Sequence, residues 1–106
     1  MLIGHKQIYF EVIKESFLDN VNILTRYQFI DEFEAVKFYV KIHDKYNEQT
    51  EEEKSKWCCR FVRISPYKTA ETLSVFGYSI LTWQGSQNAE FTSYLERYRE
   101  RIKSHN

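Results

Sequence analysis

The chain is poor in the residues that break, bridge or punctuate a fold. Of 106 residues, three are Gly, one is Pro and two are Cys. So little Gly and Pro argues against disorder and for regular elements joined by few long loops. Three glycines could hardly form a phosphate-cradling loop, and no GxGxxG, P-loop, GxSxG or HExxH pattern occurs. No run approaches the roughly 18 apolar residues of a membrane helix. Lys6, Glu11 and Lys14 come too early for the apolar core of a signal peptide. A soluble, cytoplasmic protein with reduced thiols is therefore expected. Net charge is also missing, with fifteen Lys plus Arg against fifteen Asp plus Glu.

What is present is apolar and aromatic. Apolar residues make up 42% of the chain and aromatic residues 17%, including eight Tyr and eight Phe. That content, at this length, suits one domain with a core of its own, spanning residues 1–106. Charge is unevenly spread. Residues 1–53 hold eleven acids and six bases, and residues 54–106 hold four acids and nine bases. Such an imbalance marks an acidic and a basic face, unless the two halves interleave in space.

Alternation and helical spacing define the elements. IYFEVIK fits a strand over roughly 6–15, since β-branched and aromatic residues dominate it. Asp19-Asn20 reads as a turn. In VNILTRYQF, Val21, Ile23, Thr25, Tyr27 and Phe29 share a dry face, and Asn22, Leu24, Arg26 and Gln28 a wet one. Asp31 can cap a helix running to about Tyr46, with Glu34 placed for a capping box. Thr50 and Glu53 can cap a short helical turn in the polar connection that follows. WCCRFVRIS is a strand ended by Pro66. ETLSVFGYSILTW is the next, with Leu73, Val75, Leu81 and Trp83 on one parity, and Gly77 marking a bulge or a close backbone approach. A last helix over about Gln87–Lys103, capped by Ser86 or Asn88, repeats apolar residues from Phe91 to Ile102 at spacings of three and four. The order is ββαββα, two similar units with no residue-level repeat. A single α+β domain follows, with a four-stranded, mainly antiparallel sheet and both helices on one face.

The chemistry concentrates in Trp57-Cys58-Cys59-Arg60-Phe61-Val62-Arg63. Neighbouring cysteines on a strand point to opposite faces, so they cannot readily share a metal ion or a disulfide. His5, His43 and His105 are too few and too scattered to complete a zinc site. One thiol is expected in the core and the other nearer the surface, neither needed for function. His43 lies on the apolar stripe of the first helix, where a half-buried histidine is commoner than a catalytic base. Glu51, Glu52 and Glu53 form a solvated run. No catalytic, cofactor or metal residue is identified, and a non-enzymatic role is expected.

One helical layer cannot cover both faces of a sheet whose strands are apolar on both sides. Exposed aromatics beside arginine are typical of interface centres. The candidate interface is Trp57, Arg60, Phe61, Arg63, Tyr78, Trp83, Arg97 and Arg101. The expected function is to bind, and regulate or inhibit, a protein partner, with a homodimer through a sheet face or edge as a further expectation. No membrane partner is expected. The alternative is an RNA- or DNA-binding module using Arg26, Arg60, Arg63 and the basic tail. Against it stand the zero net charge and the absence of the aromatic-Gly strand motif of RNA-recognition domains. Size and composition also suit a small accessory protein of a phage or mobile element.

Overall fold

A computed structural model describes residues 7–67, 69–77 and 85–104. Four long strands and a three-residue fifth form one sheet, covered on one face by two 16-residue helices. The strands are β1 (Tyr9–Leu18), β2 (Val21–Phe29), β3 (Trp57–Ile64), β4 (Ala70–Gly77) and β5 (Gly85–Gln87). The helices are α1 (Glu32–Asn47), the single turn α2 (Glu51–Lys54) and α3 (Ala89–Ser104). The strand order is β2-β1-β3-β4-β5, with every neighbouring pair antiparallel. The α+β architecture expected from the sequence is present. β5 is an addition to it: Gly85–Gln87 pairs back onto Phe76–Ser74. Tyr78 and Trp83, expected on one long strand from Glu71, lie outside the described residues.

Local chemistry accounts for the element ends. Asp19 and Asn20 both have positive φ, 48° and 67°, which suits the tight turn that follows the twist of a hairpin. Asp31 accepts the Glu34 amide at 2.9 Å and starts α1. Thr50 and Glu53 make a reciprocal capping box around α2. Asn88 accepts the Phe91 amide at 2.9 Å and starts α3. Gly77 closes β4 with φ +102°, where a Cβ would sit 2.7 Å from both the Cys58 Cα and the Trp57 carbonyl oxygen. Both the dihedral and the close approach require glycine.

The main core lies between the sheet and the two long helices. Phe10 and Val12 of β1, Trp57, Cys59 and Phe61 of β3, and Leu73 and Phe76 of β4 meet Val36 and Tyr39 of α1 and Phe91 and Tyr94 of α3. Phe61 is the centre of this aromatic packing, with ring centroids 4.9–6.1 Å from Phe91, Tyr39, Phe10 and Tyr94. A smaller cluster of Ile13, Val62 and Ile64, with Tyr9 against it, occupies the opposite face. Among the described residues no helix packs there.

Strict alternation fails in β4. Phe61 faces Ser74, yet Val62 faces Thr72, so Leu73 is an extra residue. This bulge puts Leu73 and Ser74 both toward the helices, where Leu73 joins the core and Ser74 hydrogen-bonds the Tyr39 hydroxyl at 2.9 Å. Val75 pairs with Arg60 and falls on the other face. The shared parity expected for Leu73 and Val75 is broken at that residue.

Candidate protein-interaction surface

β2 pairs with β1 along its full length and is the outermost strand. Among the described residues nothing pairs with its outer edge. Eight of its nine residues are exposed and only Phe29 is half-buried. Its alternation is as the sequence predicts, because Tyr27 and Phe29 pair with the core residues Val12 and Phe10. The helices nevertheless cover only one end of that dry face. Phe38 of α1 packs on Tyr27 and Phe29, at centroid distances of 4.7 and 5.3 Å. Beyond it, Val21 is 56% exposed, Ile23 53% and Leu18 53%. The result is an apolar overhang, bordered by Leu24 on the other face and by Ile30 just past the strand, both also exposed. Singly exposed apolar residues are ordinary, but a cluster along an unpaired edge is what natural sheets usually avoid.

The outward backbone groups of this edge can be assigned. A two-residue turn makes Leu18 and Val21 a mutually hydrogen-bonded pair. Alternation then turns the amides of Val21, Ile23, Thr25, Tyr27 and Phe29 toward β1. Those of Asn22, Leu24, Arg26 and Gln28 point out. The neighbouring ladder agrees: the Phe17 amide points away from β2 and donates to the Lys56 carbonyl at 2.7 Å. Arg26 is the only charged side chain on β2.

Of the eight residues expected to make an interface, the six that the structure describes do not form one surface. Trp57 and Phe61 are a correction: at 7% and 0% exposure they are core, because β3 is the central strand and its helix-facing side lies beneath α1 and α3. The Trp57 indole donates to Gln49 at 2.8 Å, and Lys14 sits 4.6 Å over its ring. Arg63 bridges Glu71 of β4 and Glu90 of α3, tying sheet to helix. Arg60 lies on the opposite face, half-buried, and its Nε has no hydrogen-bond partner among the described residues. Arg97 and Arg101 lie on α3. Arg97 makes a two-pronged pair with Glu32 at 2.9 and 3.0 Å, and Arg101 lies 3.9 Å over the Phe33 ring. These contacts dock α3 against the start of α1. Tyr78 and Trp83 lie outside the described residues.

Burial favours the neutral form of both thiols and of the Tyr39 hydroxyl. Both cysteines are free and buried, with Cys59 fully enclosed and Cys58, on the other face, 5% exposed. Cys59 is sealed in the main core, where burial pushes its thiol up to about 12. Burial also raises Cys58, on the other face, with Glu15 adding to the effect. Burial raises the Tyr39 hydroxyl far above its ordinary value. Ser74 is bonded to Tyr39, not to a histidine or carboxylate that would activate it as a nucleophile. His43 is exposed, not half-buried as expected, with its ring edge-on to Phe76 at 4.6 Å. It borders a groove of about 680 Å³ with Asp44 and Arg99, over the Tyr39–Ser74 pair. His5 and His105 lie outside the described residues. Among the described residues no three His, Cys, Asp or Glu side chains cluster as a metal site, and no helix is long and apolar enough to cross a membrane.

Two signals for the edge were present in the sequence. The Asp19-Asn20 turn makes β2 a neighbour of β1, and the chain leaves β2 directly into a capped helix. Neither says that β2 has no second neighbour. Set against protein-family models, curated proteins and solved structures, the chain matches none.

Proposed function

We propose that the protein is a non-enzymatic interaction module that binds, and regulates or inhibits, a protein partner through its β1–β2 hairpin. One observation carries this reading: among the described residues nothing pairs with the outward amides of the nine-residue edge strand, and its apolar overhang is exposed. A strand edge supplies main-chain hydrogen bonds, and the side chains flanking it supply selectivity. With one charge on the strand, contact there would depend on shape and apolar burial more than on charge.

The same geometry favours protein over nucleic acid. A phosphate-gripping surface needs arginines free to reach outward. Arg63 and Arg97 are already paired with carboxylates, and Arg101 with an aromatic ring. On the face opposite the helices Arg26 and Arg60 both flank Ile13, whereas Arg97 and Arg101 stand on the helix side, so the basic residues are split between two surfaces.

The test compares the wild type with a Val21→Lys, Ile23→Lys double variant. Both sites are more than half exposed, so the variant should keep the wild-type circular dichroism spectrum and melting temperature. Each is used to capture proteins from nuclease-treated lysate of the source cell. A protein retained by the wild type at high salt and lost by the variant, whether the native copy of this chain or another protein, is the expected result. Equal capture by both overturns the proposal, as does binding that disappears with nuclease or falls steeply with salt.

A further inference from the structure

We infer that the occupant of the β2 edge is a second copy of this chain, its β2 running antiparallel to the first about a twofold axis at Thr25. This rests on the hairpin being the contact surface and adds the identity and register of what binds it. A twofold axis normal to the sheet is the symmetry that joins two identical antiparallel edges, and it must pass through a residue position. Thr25 is the midpoint of β2, so this register alone pairs the strand over its whole length.

The side chains that meet are complementary. On the helix side, Val21 falls opposite the partner subunit's Phe29 and Ile23 opposite the partner subunit's Tyr27. Thr25 faces its own copy. On the other side, Asn22 meets Gln28 and Leu24 meets Arg26. Arg26 is thus kept from its own copy, whereas an axis at Arg26 would oppose two like charges. The outward amides also agree. Asn22, Leu24, Arg26 and Gln28 all aim at the partner, and, as about any such axis, they face one another in hydrogen-bonding pairs.

Coverage gives an independent reason. Each copy leaves Val21 and Ile23 more than half exposed at one end of β2, and at the other Phe38 packs on Tyr27, which stays 38% exposed, and on half-buried Phe29. The twofold sets the bare end of one strand beside the Phe38-packed end of the other. The overhang that the described residues of one copy leave exposed then lies next to apolar residues of the second, in a sheet continuous across both copies.

Sedimentation equilibrium and crosslinking test the inference. The wild type should approach twice the chain mass of 12.9 kDa as concentration rises. Thr25→Lys places like charges across the axis and should weaken the dimer about tenfold or more, with its fold unchanged by circular dichroism. Thr25→Cys, oxidised with glutathione disulfide, should form a covalent dimer, because directly opposed residues outside the hydrogen-bonded pairs approach closely enough for a disulfide. Leu24→Cys should not, since its own copy lies diagonally across the axis. A 12.9 kDa monomer at every concentration overturns the inference. So does a dimer that tolerates Thr25→Lys and is not crosslinked through Thr25→Cys. If it fails while Val21→Lys, Ile23→Lys still abolishes capture of a cellular protein, the hairpin surface stands with a different occupant. If that dependence is absent too, both proposals fall.

Discussion

Replacing Phe61 by Ala separates a core role from a surface role. The side chain is fully buried and meets four rings contributed by β1, α1 and α3. A Phe→Ala change in a closed core costs about 3–5 kcal/mol, more where the walls cannot collapse. Walls drawn from three other elements, each fixed by further packing, place Phe61→Ala in the upper half of that range, about 4 kcal/mol. A domain of this size is stable by about 5–15 kcal/mol in all. With a urea dependence of about 1–2 kcal/mol per molar, the unfolding midpoint should fall by about 2–4 M. The melting temperature should fall by about 15–30 °C, at about 4–8 °C per kcal/mol. Urea unfolding followed by circular dichroism is the assay. A midpoint within about 0.5 M of wild type, with an unchanged slope, would refute the packing around Phe61.

Three further outcomes follow from the same core. Gly77→Ala forces a side chain into positive φ and against the β3 backbone, so it should destabilise by about 2–3 kcal/mol; a denaturation midpoint equal to wild type would contradict this. Neither thiol should react with a disulfide reagent at pH 8 in the folded protein, and both should appear on denaturation, because burial raises both thiols and Cys59 reaches about 12; immediate labelling of either would contradict their burial. For Glu90, burial acts to raise the carboxyl, but hydrogen bonds from Tyr94 and Arg63 outweigh it and hold the group below the usual carboxylate range. Its folded value is thus below its unfolded one. The stability it contributes is present above the unfolded value of about 4.3 and is lost as pH falls through the folded value. Glu90→Gln should flatten that part of the acid-unfolding profile, and a profile parallel to wild type would exclude the linkage.

The sequence is legible wherever one local rule decides the outcome. β2 has the predicted boundaries because alternation, the Asp19-Asn20 turn and the Asp31 cap all agree. It misleads where a single residue changes the phase, as Leu73 does. Faces assigned by counting in twos then cross over, and Val75 leaves the side that Leu73 keeps. Trp57 and Phe61 mislead for a different reason. WCCRFVRIS is apolar on both sides because β3 is central, flanked by β1 and β4. Its composition is therefore accounted for by burial within the chain. Which strand ends at an edge depends on the order of strands in space, and no local pattern in VNILTRYQF encodes that. The pairing of the α3 arginines is likewise not a local pattern. Glu32, which holds Arg97, is 65 residues away along the chain.

The most direct test of the hairpin account is amide hydrogen exchange along β2 from dilute to millimolar protein. In dilute solution the outward amides of Asn22, Leu24, Arg26 and Gln28 should exchange quickly, and the inward amides of Ile23, Thr25 and Tyr27 slowly. As concentration rises the four outward amides should gain protection together, while those of α1 stay unchanged. Outward amides that remain fast at every concentration, or protection that grows over α1 and α3 instead, would contradict the assignment of β2 as the edge where a second copy binds.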